Sequence, residues 1–210
     1  MSQVFKESNI AEQKHWKEIY RASGILDKWH DKTWYDFVND ERAKEIIQKY
    51  NVEKALKNGV GYYLFGSNGV GKTLLLNLKF QDLLHSGKKV KIISFSGLIT
   101  KFTAGWYDPN ERKSLMYDLQ KVDFLGIEEI GKEFKPGSND LGLMVLDTVL
   151  RYRVQMKKPT WLTSNIRSSQ IEDIYGENIT SMLRECCVDI QVKGEDYRKT
   201  IAEKIKKDFK

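Results

Sequence analysis

The sequence contains few cysteines, few prolines and no long apolar run. Its 210 residues include 2 cysteines and 3 prolines. Cys186 and Cys187 are adjacent, so they cannot form an ordinary structural disulfide with each other or make a zinc site alone. This usage fits a reducing cytoplasm. No stretch approaches the roughly 20 apolar residues of a membrane span, and the first residues lack a basic-then-apolar signal pattern. We therefore expect a soluble, cytoplasmic protein without a membrane partner.

The composition allows one substantial core and includes a modest excess of positive charge. Hydrophobic residues make up 40% of the chain, and the formal net charge is +6, which favours an anionic partner without identifying it. Residues 193–210 hold seven basic and four acidic side chains, which is compatible with a solvated helical tail or with a binding surface. We expect three segments: an extension at 1–40, a main domain at 41–198 and a basic tail at 199–210.

Apolar runs alternate with helix-like stretches from residue 61 onward. Gly61–Phe65 predicts a strand, Lys72–His85 a helix closed by Gly87, and Val90–Phe95 a second strand, which together form a βαβ unit. The sequence therefore predicts an α/β fold with a five-stranded, doubly wound parallel sheet flanked by helices, preceded by a small helical extension. The other predicted strands are 122–127, 160–164 and 188–192, and the other helical stretches are 41–56, 114–120 and 141–156.

The strongest chemical signal is a phosphate-binding loop between the first strand and its helix. Glycines let the backbone wrap closely around phosphates, and the positive end of the following helix faces the same anion. Lys72 is expected to reach the β and γ phosphates, and the Thr73 hydroxyl to bind Mg²⁺. The pattern G-x-x-x-x-G-K-[ST] is matched at every fixed position and predicts ATP and Mg²⁺ as cofactors. The loop comprises Gly66, Ser67, Asn68, Gly69, Val70, Gly71, Lys72 and Thr73.

Polar residues end two of the other predicted strands. Glu128 and Glu129 follow the apolar run that starts at Phe124, where a metal-binding acid and a water-activating acid are expected. Neighbouring strand residues point to opposite faces, so we assign Glu128 to Mg²⁺ and Glu129 to water activation. Asn165 ends the strand at 160–164 and is a candidate to orient the same water. The alternative interpretation of Glu128 and Glu129 is that they are two solvated acids after a buried strand. The alternative for Asn165 is a turn residue at the end of a strand.

The first 40 residues are polar but rich in large aromatic side chains. Trp16, Trp29 and Trp34 are three of the chain's 5 tryptophans. Large aromatic side chains are effective anchors at protein interfaces, so this segment is a candidate for binding a partner protein. The alternative is that the tryptophans pack back on the main domain.

Taken together, these motifs resemble those of the DnaC/DnaI-type helicase loaders and of the similar IstB-type transposition ATPases, both of the AAA+ class. The resemblance runs from about Glu41 to Arg198. Besides the phosphate loop, it includes a segment similar to the family's Walker B strand, a region similar to its sensor 1, and a similar C-terminal ending. These are residues 123–131, the two stretches 151–153 and 158–165, and residues 194–198.

The resemblance implies an ATP-dependent loader, bacterial or bacteriophage-encoded, with three kinds of partner. These are a hexameric replicative DNA helicase, single-stranded DNA and further copies of the chain. The family places a contact with single-stranded DNA near residues 101–107, where Lys101, Phe102 and Trp106 are candidates to touch phosphate and stack on bases. Ordinary packing of an amphipathic helix end is the alternative there.

Two departures from the family pattern bear on catalysis. The usual Walker B aspartate is Glu128 here, so metal geometry differs and hydrolysis is expected to be slow. The family's arginines in the segment 176–183 are replaced by Asn178 and Met182, which leaves Arg184 as the candidate arginine finger. An IstB-like ATPase on duplex DNA and a nucleotide-binding adaptor that does not hydrolyse ATP remain as alternatives. The other candidates for the finger are Arg151, Arg153 and Arg198.

Overall fold

The computed structural model describes residues 2–131 and 140–209. Its centre is a five-stranded sheet in which every pair of neighbouring strands is parallel, with the order β2-β3-β4-β1-β5. This confirms the predicted α/β class and the strand number. The strands are β1 Gly61–Phe65, β2 Val90–Ser94, β3 Phe124–Ile130, β4 Thr160–Ser164 and β5 Cys187–Gln191.

Helices cover both faces of the sheet, and each face has its own apolar core. One core lies between the strands and α2, α3 and α4, and it contains Leu64, Phe80 and Trp161. The other core lies between the strands and α5 through α8, and it contains Leu125 and Leu162. Strands buried on both faces explain the near-continuous apolar runs of the sequence. The helices are α1 Ser2–Ala22, α2 Glu41–Gln48, α3 Val52–Asn58, α4 Lys72–His85, α5 Phe95–Ala104, α6 Pro109–Lys121, α7 Asp140–Gln155, α8 Ile171–Cys186 and α9 Tyr197–Asp208.

Capping residues set several helix boundaries that periodicity alone leaves open. The helical stripe predicted at 41–56 is two helices, because α2 ends at Gln48 and Asn51 begins α3 as its N-cap, accepting a hydrogen bond from the Lys54 amide at 2.9 Å. The helix α4 ends as predicted, with Gly87 in the left-handed region at φ +74°. Local chemistry therefore fixes these boundaries.

The N-terminal region shares a core with the sheet and is not an appendage to it. Tyr20, Ile25 and Phe37 are buried in the same cluster as α4, and the Ile92 amide on β2 donates to the Ser23 carbonyl at 2.7 Å. Residues 20–40 and the sheet with its helices are thus one packing unit, although the sequence predicts a boundary at residue 40. Across the described residues, no helix is long and apolar enough to cross a membrane.

Candidate active site

The phosphate loop lies between the end of β1 and the start of α4. Gly69 and Gly71 adopt left-handed backbone angles, with φ of +74° and +101°, which side-chain-bearing residues rarely adopt. Gly71 is the N-cap of α4, so the positive end of the helix begins at Lys72, inside the loop. This backbone is suited to an anion with several oxygens, such as a polyphosphate.

Lys72 is buried, and its ammonium group faces the inside of the loop. Its Nζ donates to the Gly66 carbonyl at 2.7 Å, to the Ser67 carbonyl at 2.6 Å and to Asn165 Oδ1 at 2.9 Å. The charge is therefore held at the mouth of the loop, within reach of a phosphate chain bound there. The contact of Lys72 with the β and γ phosphates stays a prediction.

Glu128 lies beside Thr73 at the same edge of the sheet. Its carboxylate forms hydrogen bonds with the side chains of Thr73 and Asn77, the latter at 3.4 Å, and burial, followed by the charge of Glu129, raises its pKa to about 7. One hydroxyl and one carboxylate fit Mg²⁺, which proteins bind through one or two carboxylates together with substrate phosphates. Among the described residues no group of three or more His, Cys, Asp or Glu could form a complete metal cage.

Glu129 occupies a bulge in β3. Ile127 pairs with Leu162 and Ile130 with Ser164, so β3 has one more residue than β4 between these pairs. Glu129 takes a left-handed φ of +64°, and its amide donates to Thr163 Oγ1 at 3.0 Å. The bulge leaves Glu129 exposed while Glu128 is largely buried. The two acids therefore lie in different environments, and the roles assigned to them stay predictions.

Asn165 connects the end of β4 to the phosphate loop. It follows β4, which lies between β1 and β3, so the strand order alone brings it next to the loop. Its amide accepts from Lys72 Nζ and donates to Asn68 Oδ1 at 2.8 Å. The structure therefore brings Glu128 and Asn165, which are distant in the sequence, to Lys72 and Thr73.

Two segments distant in the sequence pack directly on the loop, and sequence reasoning missed the first of them. Asn39 Nδ2 donates to the Val70 carbonyl at 3.1 Å and to the Glu195 carbonyl at 3.0 Å. A Cβ on Gly71 would lie 2.6 Å from the Phe37 ring, and one on Gly69 would lie 1.6 Å from Asp196 Oδ1. These contacts hold the loop between the N-terminal arm, residues 20–40, and the segment before α9. The resemblance at 194–198 pointed to the second segment, and no pattern indicated the first.

The three N-terminal tryptophans pack along α4. Trp34 Nε1 donates to Asp82 Oδ2 at 3.1 Å, and the Trp16 ring lies 3.9 Å from the ring of His85. The carbonyl of Trp29 accepts from Gln81 Nε2 at 2.8 Å. The rings are partly buried against the core, as the alternative interpretation proposed. Their binding of a partner stays a prediction.

The proposed DNA contact needs a correction at Phe102. This side chain on α5 is fully buried, at 0% exposure, in the core under the sheet, so it cannot stack on bases. Its neighbours Lys101, Trp106 and Tyr107 are exposed, and Tyr107 is 93% exposed. An aromatic and basic surface therefore exists here with Tyr107 in place of Phe102.

The candidate arginines differ in their freedom to reach a neighbouring molecule. Arg184 on α8 is exposed and pairs with Glu172 at 3.3 Å, and Arg151 is exposed and pairs with Asp147. Arg153 is wrong as a candidate for the finger, because it is 1% exposed and bonded to Thr160 Oγ1 and four backbone carbonyls. Burial lowers its pKa to about 10. Arg198 is exposed at the start of α9.

Comparison with known proteins finds relatives of low sequence identity that share this fold. No family model matches the chain. It is 22% identical over 185 residues to the replicative helicase loader DnaC of Buchnera aphidicola subsp. Acyrthosiphon pisum, covering 85% of this chain and 74% of that protein. It is 22% identical over 144 residues to the DnaC of Escherichia coli K12, covering 68% of this chain and 56% of that protein.

Solved structures agree with this similarity. A crystal structure of the DnaC helicase loader matches with a TM-score of 0.67 at 18% identity, over 80% of this chain and 100% of that one. The replication initiator DnaA bound to AMPPCP and single-stranded DNA matches with a TM-score of 0.60 at 19% identity, over 87% and 56%. The chain has the AAA+ fold, and in sequence and structure it resembles the DnaC-type replicative helicase loaders.

Proposed function

We propose that this protein is an ATP-dependent loader that places a ring-shaped replicative DNA helicase on single-stranded DNA when replication begins. The proposal rests on one observation: Lys72, Glu128 and Asn165 lie together at the carboxyl ends of the strands of an AAA+ sheet. The relatives named as helicase loaders support the choice of partner. The same similarity favours a loader over a transposition ATPase.

The phosphate loop would hold ATP, with Thr73 and Glu128 holding Mg²⁺. Bound there, Mg²⁺ would neutralise charge on the transferring phosphoryl group. The proximity of the Glu128 carboxylate to Thr73 supports this pair as the metal ligands. Since Glu128 carries one methylene more than the family's aspartate, hydrolysis is expected to be slow.

Three side chains would act on the reaction itself. Lys72 would neutralise charge on the β and γ phosphates, because its ammonium group already lies at the mouth of the loop. Exposed Glu129 would accept a proton from the attacking water, and Asn165 would orient that water. The bond between Asn165 and Lys72 supports their placement on the same substrate group.

The N-terminal region is the proposed contact for the helicase. The tryptophans are partly buried on α4, but Leu26, Tyr35 and Val38 are 59%, 91% and 67% exposed in the same region. These exposed side chains would supply apolar contact area while the tryptophans stay packed on the core. Unchanged binding of a hexameric helicase by Tyr35→Ala, measured by size-exclusion chromatography, would remove Tyr35 from this surface.

Single-stranded DNA is proposed to bind at the end of α5. Exposed aromatic side chains stack on unpaired bases at roughly 1 to 3 kcal/mol each, and lysine contacts phosphate. Lys101, Trp106 and Tyr107 are the exposed set that fits. Fluorescence anisotropy with a labelled oligonucleotide should register weaker binding when all three become alanine, and an unchanged affinity would place the DNA elsewhere.

Self-association is proposed because the AAA+ proteins that this chain resembles complete the nucleotide site with an arginine from an adjacent copy. Exposed Arg184 would enter the site of an adjacent copy, where its planar charge suits phosphate. Its bond to Glu172, between two exposed side chains, is weak enough to exchange. If Arg184→Ala hydrolyses ATP normally where the wild type assembles, the finger lies elsewhere.

Lys72→Ala tests the ATPase and the loader together. We expect it to abolish ATP hydrolysis, to weaken ATP binding and to stop helicase-dependent unwinding of a primed circular single strand. Lys57→Ala, an exposed lysine on α3, is the matched control and should behave as the wild type. Hydrolysis of ATP by Lys72→Ala at the wild-type rate would refute the proposal that the protein is an ATPase. If the wild-type protein binds the helicase but hydrolyses no ATP, the result would support a nucleotide-binding adaptor instead.

A further inference from the structure

Asn77 is a buried polar residue on α4, the helix that starts in the phosphate loop. It is 1% exposed and lies one helical turn after Thr73, so both side chains are on the same side of the helix. Many of the other buried side chains of α4 are apolar, among them Leu75, Leu76 and Phe80. The polar side chain at this position therefore needs a reason other than packing.

The amide group of Asn77 contacts both residues that are proposed to hold Mg²⁺. Its Nδ2 donates to the Thr73 carbonyl at 2.7 Å and to Glu128 Oε1 at 3.4 Å. The Thr73 side chain also forms a hydrogen bond with the Glu128 carboxylate. Because both partners of Nδ2 are acceptors, the NH₂ group must face them, and the orientation of the amide is fixed. Asn77 thus links the helix of one ligand to the carboxylate of the other.

The oxygen of the same amide lacks a hydrogen-bond partner. Within residues 2–131 and 140–209, no donor bonds to Asn77 Oδ1, although this atom is buried. A buried acceptor without a donor costs free energy that an apolar side chain of similar shape would not. Stability alone therefore favours leucine here, and the contacts of Nδ2 are the feature that requires an amide.

Glu128 needs an orienting contact more than a shorter acid would. It stands where the family that the chain resembles has aspartate, and its side chain has one more rotatable bond. A more flexible ligand loses more conformational freedom when a metal ion fixes it. A hydrogen bond that orients the carboxylate beforehand therefore favours metal binding.

We propose that Asn77 is a positioning residue for Mg²⁺, which holds the Glu128 carboxylate beside Thr73 so that both can bind the same ion. The inference rests on the proposed ATP and Mg²⁺ site, and it adds a residue that acts through Glu128 without touching the metal. Loss of a hydrogen bond that orients a metal ligand typically lowers metal affinity by about 10- to 100-fold. We expect an effect of this size here.

Asn77→Leu separates this role from a structural one. The affinity for a fluorescent ATP analogue is measured with excess Mg²⁺ and again with EDTA. By linkage, the ratio of the two affinities reports how tightly the nucleotide complex holds Mg²⁺. We expect this ratio to fall by about 10- to 100-fold, while the affinity in EDTA is unchanged and the melting temperature is no lower than that of the wild type. A lower melting temperature with an unchanged ratio would make Asn77 a structural residue and overturn the proposal.

Two further variants control for folding and for the loss of a buried polar group. Asn77→Ala adds no bulk to the core and should lower the ratio as Asn77→Leu does. Thr180→Val removes a buried hydroxyl that donates to the Gly176 carbonyl on α8 at 2.9 Å, and it should keep the wild-type ratio. An equal fall in Thr180→Val would contradict a specific role for Asn77.

Glu128→Asp tests whether Asn77 acts through this carboxylate. The shorter side chain draws the carboxylate away from Asn77, so adding Asn77→Leu to Glu128→Asp should change the ratio little, and the two substitutions should not be additive. Equal effects of Asn77→Leu in the two backgrounds would overturn the proposal while the metal site stands. A wild type that binds ATP equally with Mg²⁺ and with EDTA would overturn the proposed metal site, and this inference with it.

Discussion

At the scale of single residues, adjacent side chains of the site differ sharply in environment. Glu128 is largely buried beside Thr73 with its pKa raised to about 7, whereas Glu129 is exposed on a bulge with a left-handed backbone. Strain of this kind costs of order 1–3 kcal/mol and tends to occur at functional sites. The bulge therefore separates a proposed metal ligand from a proposed base.

Glu129→Gln should keep ATP binding and slow hydrolysis by roughly 10²- to 10⁴-fold, because it removes the carboxylate that would accept a proton. Binding is measured with a fluorescent ATP analogue and turnover by phosphate release. Glu185→Gln, at an exposed position on α8, is the control. Loss of nucleotide binding in folded Glu129→Gln would contradict the assignment.

Arg153 is predicted to be a structural residue. It is bonded to Thr160 Oγ1 and four carbonyls while 1% exposed, so Arg153→Ala leaves buried acceptors without a donor. We expect a loss of about 3–5 kcal/mol in the free energy of unfolding, measured with urea. Arg151→Ala removes only an exposed pair with Asp147 and should cost less than about 1 kcal/mol. Equal losses for the two variants would contradict this role.

At the scale of elements, the phosphate loop depends on segments outside the β1–α4 unit that contains it. Asn39 bonds two carbonyls, one in the loop and one before α9, and the Lys193 amide donates to Asp40 Oδ2 at 2.8 Å. Two segments more than 150 residues apart in the chain thus meet over the loop. The conformation of the loop is set partly by these contacts.

Asn39→Ala should weaken ATP binding by about 1–2 kcal/mol, or roughly 5- to 30-fold, because it removes both hydrogen bonds to the backbone around the loop. Isothermal titration calorimetry measures the affinity. Asn58→Ala removes a side-chain bond to the Lys54 carbonyl at the end of α3 and should leave the affinity unchanged. An unchanged affinity in Asn39→Ala would show that the loop keeps its shape without this residue.

At the scale of the whole molecule, the N-terminal arm and the ATPase core stabilise each other. Tyr20 and Phe37 are buried with α4, and the arm contributes Asn39 to the loop. From the sequence, removal of residues 1–40 is expected to abolish partner binding and spare nucleotide binding. The contacts predict a different result, since the truncation removes part of the core.

Deletion of residues 1–40 should therefore lower the melting temperature and weaken ATP binding. Deletion of residues 1–14 keeps Trp16 and all of residues 20–40, and it should leave both properties close to the wild type. Differential scanning fluorimetry with and without ATP compares the two truncations. Full stability and full ATP affinity after deletion of residues 1–40 would restore the view of this region as an independent extension.

The sequence by itself determined the local features of this protein. The glycine spacing of the phosphate loop, the apolar runs of the strands and the two acids that follow the apolar run of β3 obey rules that act over a few neighbouring residues. For this reason β1, α4 and β4 were predicted with their observed bounds. The strand order decided which strand ends meet, which brought Asn165 to Lys72. Only tertiary packing decided that Phe102 and Arg153 are buried and that Asn39 bonds to the loop, because burial and long-range hydrogen bonds depend on segments distant in the chain.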